Sequence, residues 1–198
     1  LMLFTAISTQ SQNWNEILKS LASDTASGDS FGISVAIDGN LAVIGANGQG
    51  TGGSAYVFEF DGANWIQKTD LDALDAASGD SFGKSVAIYG NKIIVGANGK
   101  GSSGAAYIFA NDGINWIQEA KLLPSDGSKL YGNSVDITND KVIVGAFWDD
   151  ENGSQSGAAY IYSFNGVTWG DEVKLTASDG ASGDYFPPLA NQRGRSNP

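Results

Sequence analysis

Apolar and polar positions alternate strictly over residues 31–37. Phe31, Ile33, Val35 and Ile37 fall on one face, and Gly32, Ser34 and Ala36 on the other. A period of two predicts a β-strand. One large face and one small face suit an innermost strand, crowded near an axis. Asp38-Gly39-Asn40 is a tight-turn signal. Residues 41–46 form a short continuous apolar run, which predicts a fully buried strand. Residues 47–53 are a Gly-rich loop. Over 54–60, Tyr56, Phe58 and Phe60 alternate with Val57 and Glu59. A second hairpin turn follows at 61–64. Residues 65–71 are more polar, as an outer edge strand should be.

The pattern repeats. Phe31, Phe82 and Tyr131 stand 51 and 49 residues apart, and Trp14, Trp65, Trp116 and Trp169 stand 51, 51 and 53 apart. A shared period near 50 residues signals a solenoid, a propeller or an array. Each repeat reads as a four-stranded antiparallel meander. One such sheet cannot bury both faces, and stacking copies around an axis solves this. The predicted fold is therefore all-β. It has three full β-propeller blades of about 50 residues each, in an open or incomplete ring. The expected units are an outer strand of a split blade at 13–23, blades at 24–74, 75–125 and 126–179, and the start of another at 180–186. Phe31, Phe82, Val35, Val86 and Val135 are expected to be buried on innermost strands.

These residues resemble the FG-GAP repeat, the blade unit of integrin-α-like propellers, in its secreted bacterial form. The Phe-Gly pair is Phe31-Gly32 and Phe82-Gly83, with Tyr131-Gly132 as a variant. The Gly-Ala pair is Gly45-Ala46, Gly96-Ala97 and Gly145-Ala146; Asn47, Asn98 and Phe147 stand where the motif has Pro. The resemblance implies a secreted or surface module for ligand binding or adhesion. It also implies calcium sites in the first hairpin of a blade. Here those hairpins are only Asp38-Gly39-Asn40, Tyr89-Gly90-Asn91 and Thr138-Asn139-Asp140. They are too short to offer a calcium ion its six to eight oxygens, so the family's calcium loop does not carry over.

Charge narrows the partners. The formal net charge is −11, which repels a phosphate backbone and disfavours nucleic acid. A protein or glycan ligand remains, as do the other blades of a longer protein or a second copy of this one. There is no Cys and no His. Disulfides, thiolate zinc sites and His-based nucleophile pairs are excluded. In a meander, alternate loops share an end. Most Asp residues then fall at the end that holds the loop between strands two and three, from Asp24 and Asp29 through Asp149, Asp150 and Glu151 to Asp184. Trp148, Asp149 and Asp150 are the candidate ligand-binding residues. Trp148 has no counterpart in the other repeats; it is an exposed contact for a sugar or peptide, or it packs over the blade edge. Asp149, Asp150 and Asn152 are the candidate metal ligands, for calcium if any. Asp29 and Asp80 are expected to bond the backbone of their own turns. Trp65, Trp116 and Trp169 are expected to pack between blades rather than stack on sugars.

Asp149 and Glu151 are a conceivable glycosidase pair, but nothing selects one pair from so many acids. No residue is singled out as catalytic, and a non-enzyme is expected. The alternative is an accessory domain of a secreted carbohydrate-active enzyme. Residues 1–12 read as the remnant of a signal peptide, and no stretch is long enough to span a membrane. Residues 187–198 begin with two Pro, turn basic and abandon the pattern; a reading-frame slip or a fragment end is the expectation.

Overall fold

The computed structural model describes residues 22–24 and 26–186. The signal-peptide reading of 1–12, most of the strand expected at 13–23 and the aberrant tail at 187–198 lie outside these residues. Among the described residues, twelve strands form three four-stranded antiparallel sheets. Blade 1 holds β1 (Phe31–Asp38), β2 (Leu41–Ala46), β3 (Ser54–Phe60) and β4 (Trp65–Leu71). Blade 2 holds β5 (Phe82–Tyr89), β6 (Lys92–Ala97), β7 (Ala105–Asn111) and β8 (Trp116–Leu122). Blade 3 holds β9 (Lys129–Ile137), β10 (Lys141–Trp148), β11 (Ala158–Phe164) and β12 (Trp169–Leu175). Each sheet runs in sequence order, a simple meander.

Local chemistry sets the turns. Asp61 Oδ1 accepts the N–H groups of Ala63 and Asn64, and Asp112 Oδ1 those of Ile114 and Asn115. Asn165 does the same for Val167 and Thr168. These Asx turns close each outer hairpin. The innermost strand is not uniformly alternating. Phe31 pairs with Ala46 and Ser34 with Gly45, so Gly32 and Ile33 bulge out. The same irregularity recurs between Phe82 and Ser85.

Two cores join the blades. In one, Val43, Ala55, Val57 and Leu71 of blade 1 meet Phe82, Val86, Ile88 and Tyr107 of blade 2. In the other, Ile94, Ala106 and Ile108 of blade 2 meet Tyr131, Val135, Val144 and Tyr160 of blade 3. Neither core joins blade 1 to blade 3. Strand β5 packs against both β1 and β9, so the sheets meet at their innermost strands in an open arc.

The glycines of the repeat motif lie at these junctions. A Cβ added to Gly45 would sit 2.0 Å from the carbonyl oxygen of Gly83, and one added to Gly96 would sit 2.0 Å from that of Gly132. Gly83 and Gly132 have φ of 86° and 84°, which an L side chain rarely adopts. Ser34 Oγ donates to Gly83 O at 2.8 Å, and Ser85 Oγ to Gly132 O at 2.9 Å. Ser134, next in this series, has a buried Oγ with no partner among the described residues. The position equivalent to Gly83 and Gly132 on the far side of blade 3 is 187, outside the described residues. Up to Phe186 the chain follows the same path, with Phe186 N–H donating to Ser156 O as Phe82 N–H does to Gly52 O.

The burial expectation holds for Phe82, Val86 and Val135 but fails in blade 1. Phe31 is only half-buried, and Val35 is 65% exposed. Ile33 and Ile37 are exposed as well. The β-pattern is the same, but the large face of β1 points away from blade 2, and no described blade covers it.

Phe82→Ala should therefore cost about 3–5 kcal/mol, the usual range for a buried Phe. Val35→Ala should cost under about 0.5 kcal/mol, as for an exposed side chain. Gly96→Ala should cost about 3 kcal/mol or more, the upper end for overpacking, because backbone atoms stand in the way. Denaturant titration of the three variants checks this order; a Val35 variant as destabilised as the Phe82 variant would overturn it.

Candidate functional site

The loop end of each blade carries one arrangement in three versions. A Tyr on the third strand donates its hydroxyl to an Asp of the preceding connector. The pairs are Tyr56 to Asp24 (2.8 Å), Tyr107 to Asp75 (2.8 Å) and Tyr160 to Asp126 (2.9 Å). Burial, then the neighbouring carboxylate, pushes the Tyr56 and Tyr107 hydroxyls far up. Asp29 and Asp80 brace their own turns, accepting from Ala26 N–H (2.5 Å) and Ala77 N–H (2.7 Å). These distances match the turn role read from the sequence.

The third position differs between blades. Gln49, Lys100 and Asp149 occupy the same place after the second strand. Gln49 Nε2 donates to Asp24 at 2.9 Å. Lys100 Nζ lies 2.7 Å from Asp80 Oδ2 and 3.5 Å from Asp75 Oδ2. In blade 3 the residue is itself an acid, so the cation must come from elsewhere. Lys174 on β12 supplies it. Its Nζ lies 2.5 Å from Asp126 Oδ2, 2.7 Å from Asp149 Oδ2 and 2.7 Å from Glu151 Oε2. Asp149 is only 3% exposed and also accepts from Ser128 Oγ and from Glu151 N–H at 3.0 Å.

Around this cluster opens a cleft of about 560 Å³, lined by Asp126, Lys129, Trp148, Asp149, Asp150, Glu151 and Lys174. Trp148 is 39% exposed and meets Phe147 edge-on, with centroids 5.9 Å apart. Trp148 thus contacts its neighbour Phe147 and borders the cleft. Asp150 accepts from Gln155 N–H at 2.8 Å and faces Lys129 at 3.4 Å.

The candidate metal set is not brought together. Asn152 Nδ2 turns to Ala177 O at 3.3 Å and does not line the cleft. The point where Asp126, Asp149 and Glu151 converge is filled by the Lys174 ammonium. Among the described residues, no group of three or more acids is placed to hold a metal ion. The sequence reading did not single out Lys174, Ser128 or Tyr160. The signal was present: Lys121 and Lys174 share a repeat position, and Lys121 pairs with Asp75 at 2.7 Å.

The charges bear on the chemistry available. Burial alone would raise the Asp149 carboxyl, but the bonds from Lys174, Ser128 and Glu151 N–H outweigh it, and the net shift is downward. Burial likewise opposes the shift of Asp126, which Lys174, Ser128 N–H and Tyr160 still bring down to about 2. Lys174 is held well above its ordinary value by these carboxylates, despite its own desolvation. A general acid needs its carboxyl raised toward neutral pH. Asp149 is shifted the opposite way, so the conceived pair of Asp149 and Glu151 lacks the shift an acid at Asp149 would require.

A family model described as FG-GAP repeat matches residues 14–58, 65–109 and 116–162, more than half of the chain. This protein belongs to the FG-GAP repeat family. Each match starts at a Trp and ends within the third strand of a sheet; in the second and third matches that Trp opens the outer strand of the preceding sheet. No curated protein matches. Among solved structures, a europium-containing methanol dehydrogenase is similar, at 15% identity and a TM-score of 0.47, over 76% of this chain and 28% of that one. A likeness of that size carries no argument about chemistry. The two letter pairs of the FG-GAP motif are the two sides of the blade junction. The Trp residues also behave as packing groups: Trp116 and Trp169 rest on the interblade cores.

Asp126 and Asp149 have depressed pKa values in the fold, so the stability they contribute is complete above their unfolded value near 3.8 and is lost as pH falls toward 2. The urea midpoint should therefore fall between about pH 4 and 2. Lys174→Met should lower stability at neutral pH by about 3 kcal/mol, because it strands buried carboxylates. It should also flatten the acid dependence. An unchanged acid profile in that variant would remove Lys174 as the cause.

Proposed function

We propose that this protein is a non-catalytic binding or adhesion module of a secreted or cell-surface protein, and that it engages a basic segment of a protein partner through the blade 3 cleft. The observation that carries the reading is an exposed indole beside a surplus of carboxylates. Four acids border the cleft, Asp126, Asp149, Asp150 and Glu151, against two cations, Lys129 and Lys174. Lys174 satisfies the inner acids. Asp150 and Glu151 stay half-exposed at the rim beside Trp148. A guanidinium or ammonium group entering there would meet a π-face and at least one carboxylate. The net charge of −11 would steer such a partner toward the module.

The extracellular setting is supported by the signal-like composition of residues 1–12. Further blades, from a longer chain or a second copy, are part of the same reading. Their support is the large apolar face of β1, where Ile33, Val35 and Ile37 are exposed and no described blade covers them.

The test uses an unstructured peptide of alternating Gly and Arg, with a Gly and Gln peptide as control. The Arg peptide should bind, with affinity falling at least tenfold between about 50 and 300 mM salt, as expected for exposed charge pairs. Trp148→Ala combined with Asp150→Asn should weaken binding at least tenfold while leaving the urea midpoint nearly unchanged. Equal binding by that variant, or by the Gln control, would overturn the assignment.

A further inference from the structure

The outer parts of neighbouring blades splay apart and leave grooves at the end opposite the acidic loops. The groove between blades 2 and 3 is closed. Glu119 is the residue bulged out of the pairing between β7 and β8. Its carboxylate accepts from Lys92 Nζ at 2.8 Å and from the indole Nε1–H of Trp169 at 3.0 Å. Lys92 Nζ in turn lies 4.4 Å from the centroid of Phe164 and 5.5 Å from that of Trp169. Cation, carboxylate and two aromatic rings fill the space.

The groove between blades 1 and 2 is built from the same positions with different residues. Lys68 is the bulged residue in place of Glu119. Leu41 stands for Lys92, Asn111 for Phe164, and Trp116 for Trp169. Lys68 has no acceptor to offer an indole N–H, and it pairs instead with Glu59 at 3.2 Å. Among the described residues, the Trp116 indole N–H and the Asn115 side-chain amide have no hydrogen-bond partner. The result is a groove of about 450 Å³ instead of a filled seam.

We infer that this groove is a binding site for a neutral saccharide unit. Leu41 and Trp116 rest on the interblade core and give it an apolar floor. Its walls carry Asn40, Asn115, Glu59 and Lys68. A sugar ring offers a weakly apolar face and a rim of hydroxyls, each both donor and acceptor. Trp, Asn amides and an opposed Glu–Lys pair match both features. The wall charges cancel, so an ionic ligand gains no net attraction. This site is at the far end from the blade 3 cleft and does not depend on that reading.

The test titrates the full chain with chitotriose, cellotriose and mannotriose, following the indole N–H resonances by NMR. Trp116 is assigned with Trp116→Phe. At least one trisaccharide should shift the Trp116 signal saturably, with a Kd of roughly 1 mM or tighter. The double variant Leu41→Lys with Lys68→Glu copies the closed groove of blades 2 and 3, and it should lose at least tenfold in affinity while remaining folded. No saturable shift with any of the three at about 10 mM, equal affinity in the double variant, or tighter binding of an oligoglucuronate than of every neutral trisaccharide would each overturn the inference.

Discussion

The architecture depends on one close approach between backbones. The carbonyl of the Phe-Gly glycine in one blade sits where a Cβ of the Gly-Ala glycine in the preceding blade would otherwise stand. A Ser hydroxyl two residues after the Phe-Gly pair of that preceding blade then donates to the same carbonyl. A buried carbonyl without a partner would be costly, so glycine and serine are required together. This contact brings the innermost strands close, and the large and small faces of successive sheets then interlock. It also makes the junction directional. One blade's Phe-Gly always meets the previous blade's Gly-Ala, so the two ends of the arc are unlike each other.

Electrostatics at the loop end follow from the same repetition. The three Tyr–Asp pairs are fixed elements, and the residue at 49, 100 or 149 varies around them. Where it is Gln, it bonds the connector acid Asp24; where it is Lys, it pairs with Asp80 and shares Asp75 with Lys121. Where it is Asp, a cation from β12 must balance three carboxylates at once. That exchange turns a closed loop contact into a cleft bordered by Trp148. A single change within a repeat thus makes one blade chemically distinct without disturbing its sheet. The outer grooves show the same principle at the other end. Replacing a bulged Glu by Lys, and the facing Lys by Leu, converts a filled seam into an open one. The β-bulge matters here because it turns an edge side chain toward the neighbouring blade.

Much of the fold was legible in the sequence. The strands Leu41–Ala46, Ser54–Phe60 and Trp65–Leu71 lie where periodicity and turn residues put them. The gathering of acids at one end followed from the alternation of loops in a meander. The failure of Val35 is equally instructive. Periodicity says which residues share a face, but not whether another sheet lies over it, and Val35 and Val86 occupy the same position with opposite exposure. The candidate metal set is spread apart for a related reason. Sequence adjacency placed Asp149, Asp150 and Asn152 together, but each turns to a different distant partner: Asp149 to Lys174, Asp150 to Lys129 and Asn152 to Ala177 O.

By itself, the sequence determined the strands, the turns, the order within each sheet and the repeat. Those features rest on local stereochemistry: alternation, Asx turns and positive φ at glycine. Only the tertiary structure decided which faces are covered, which cation neutralises which acid, and which of two equivalent grooves is filled. Those outcomes depend on contacts between residues about 25 to 50 positions apart. Their partners are set by how one blade docks on the next, and no local pattern encodes that pairing.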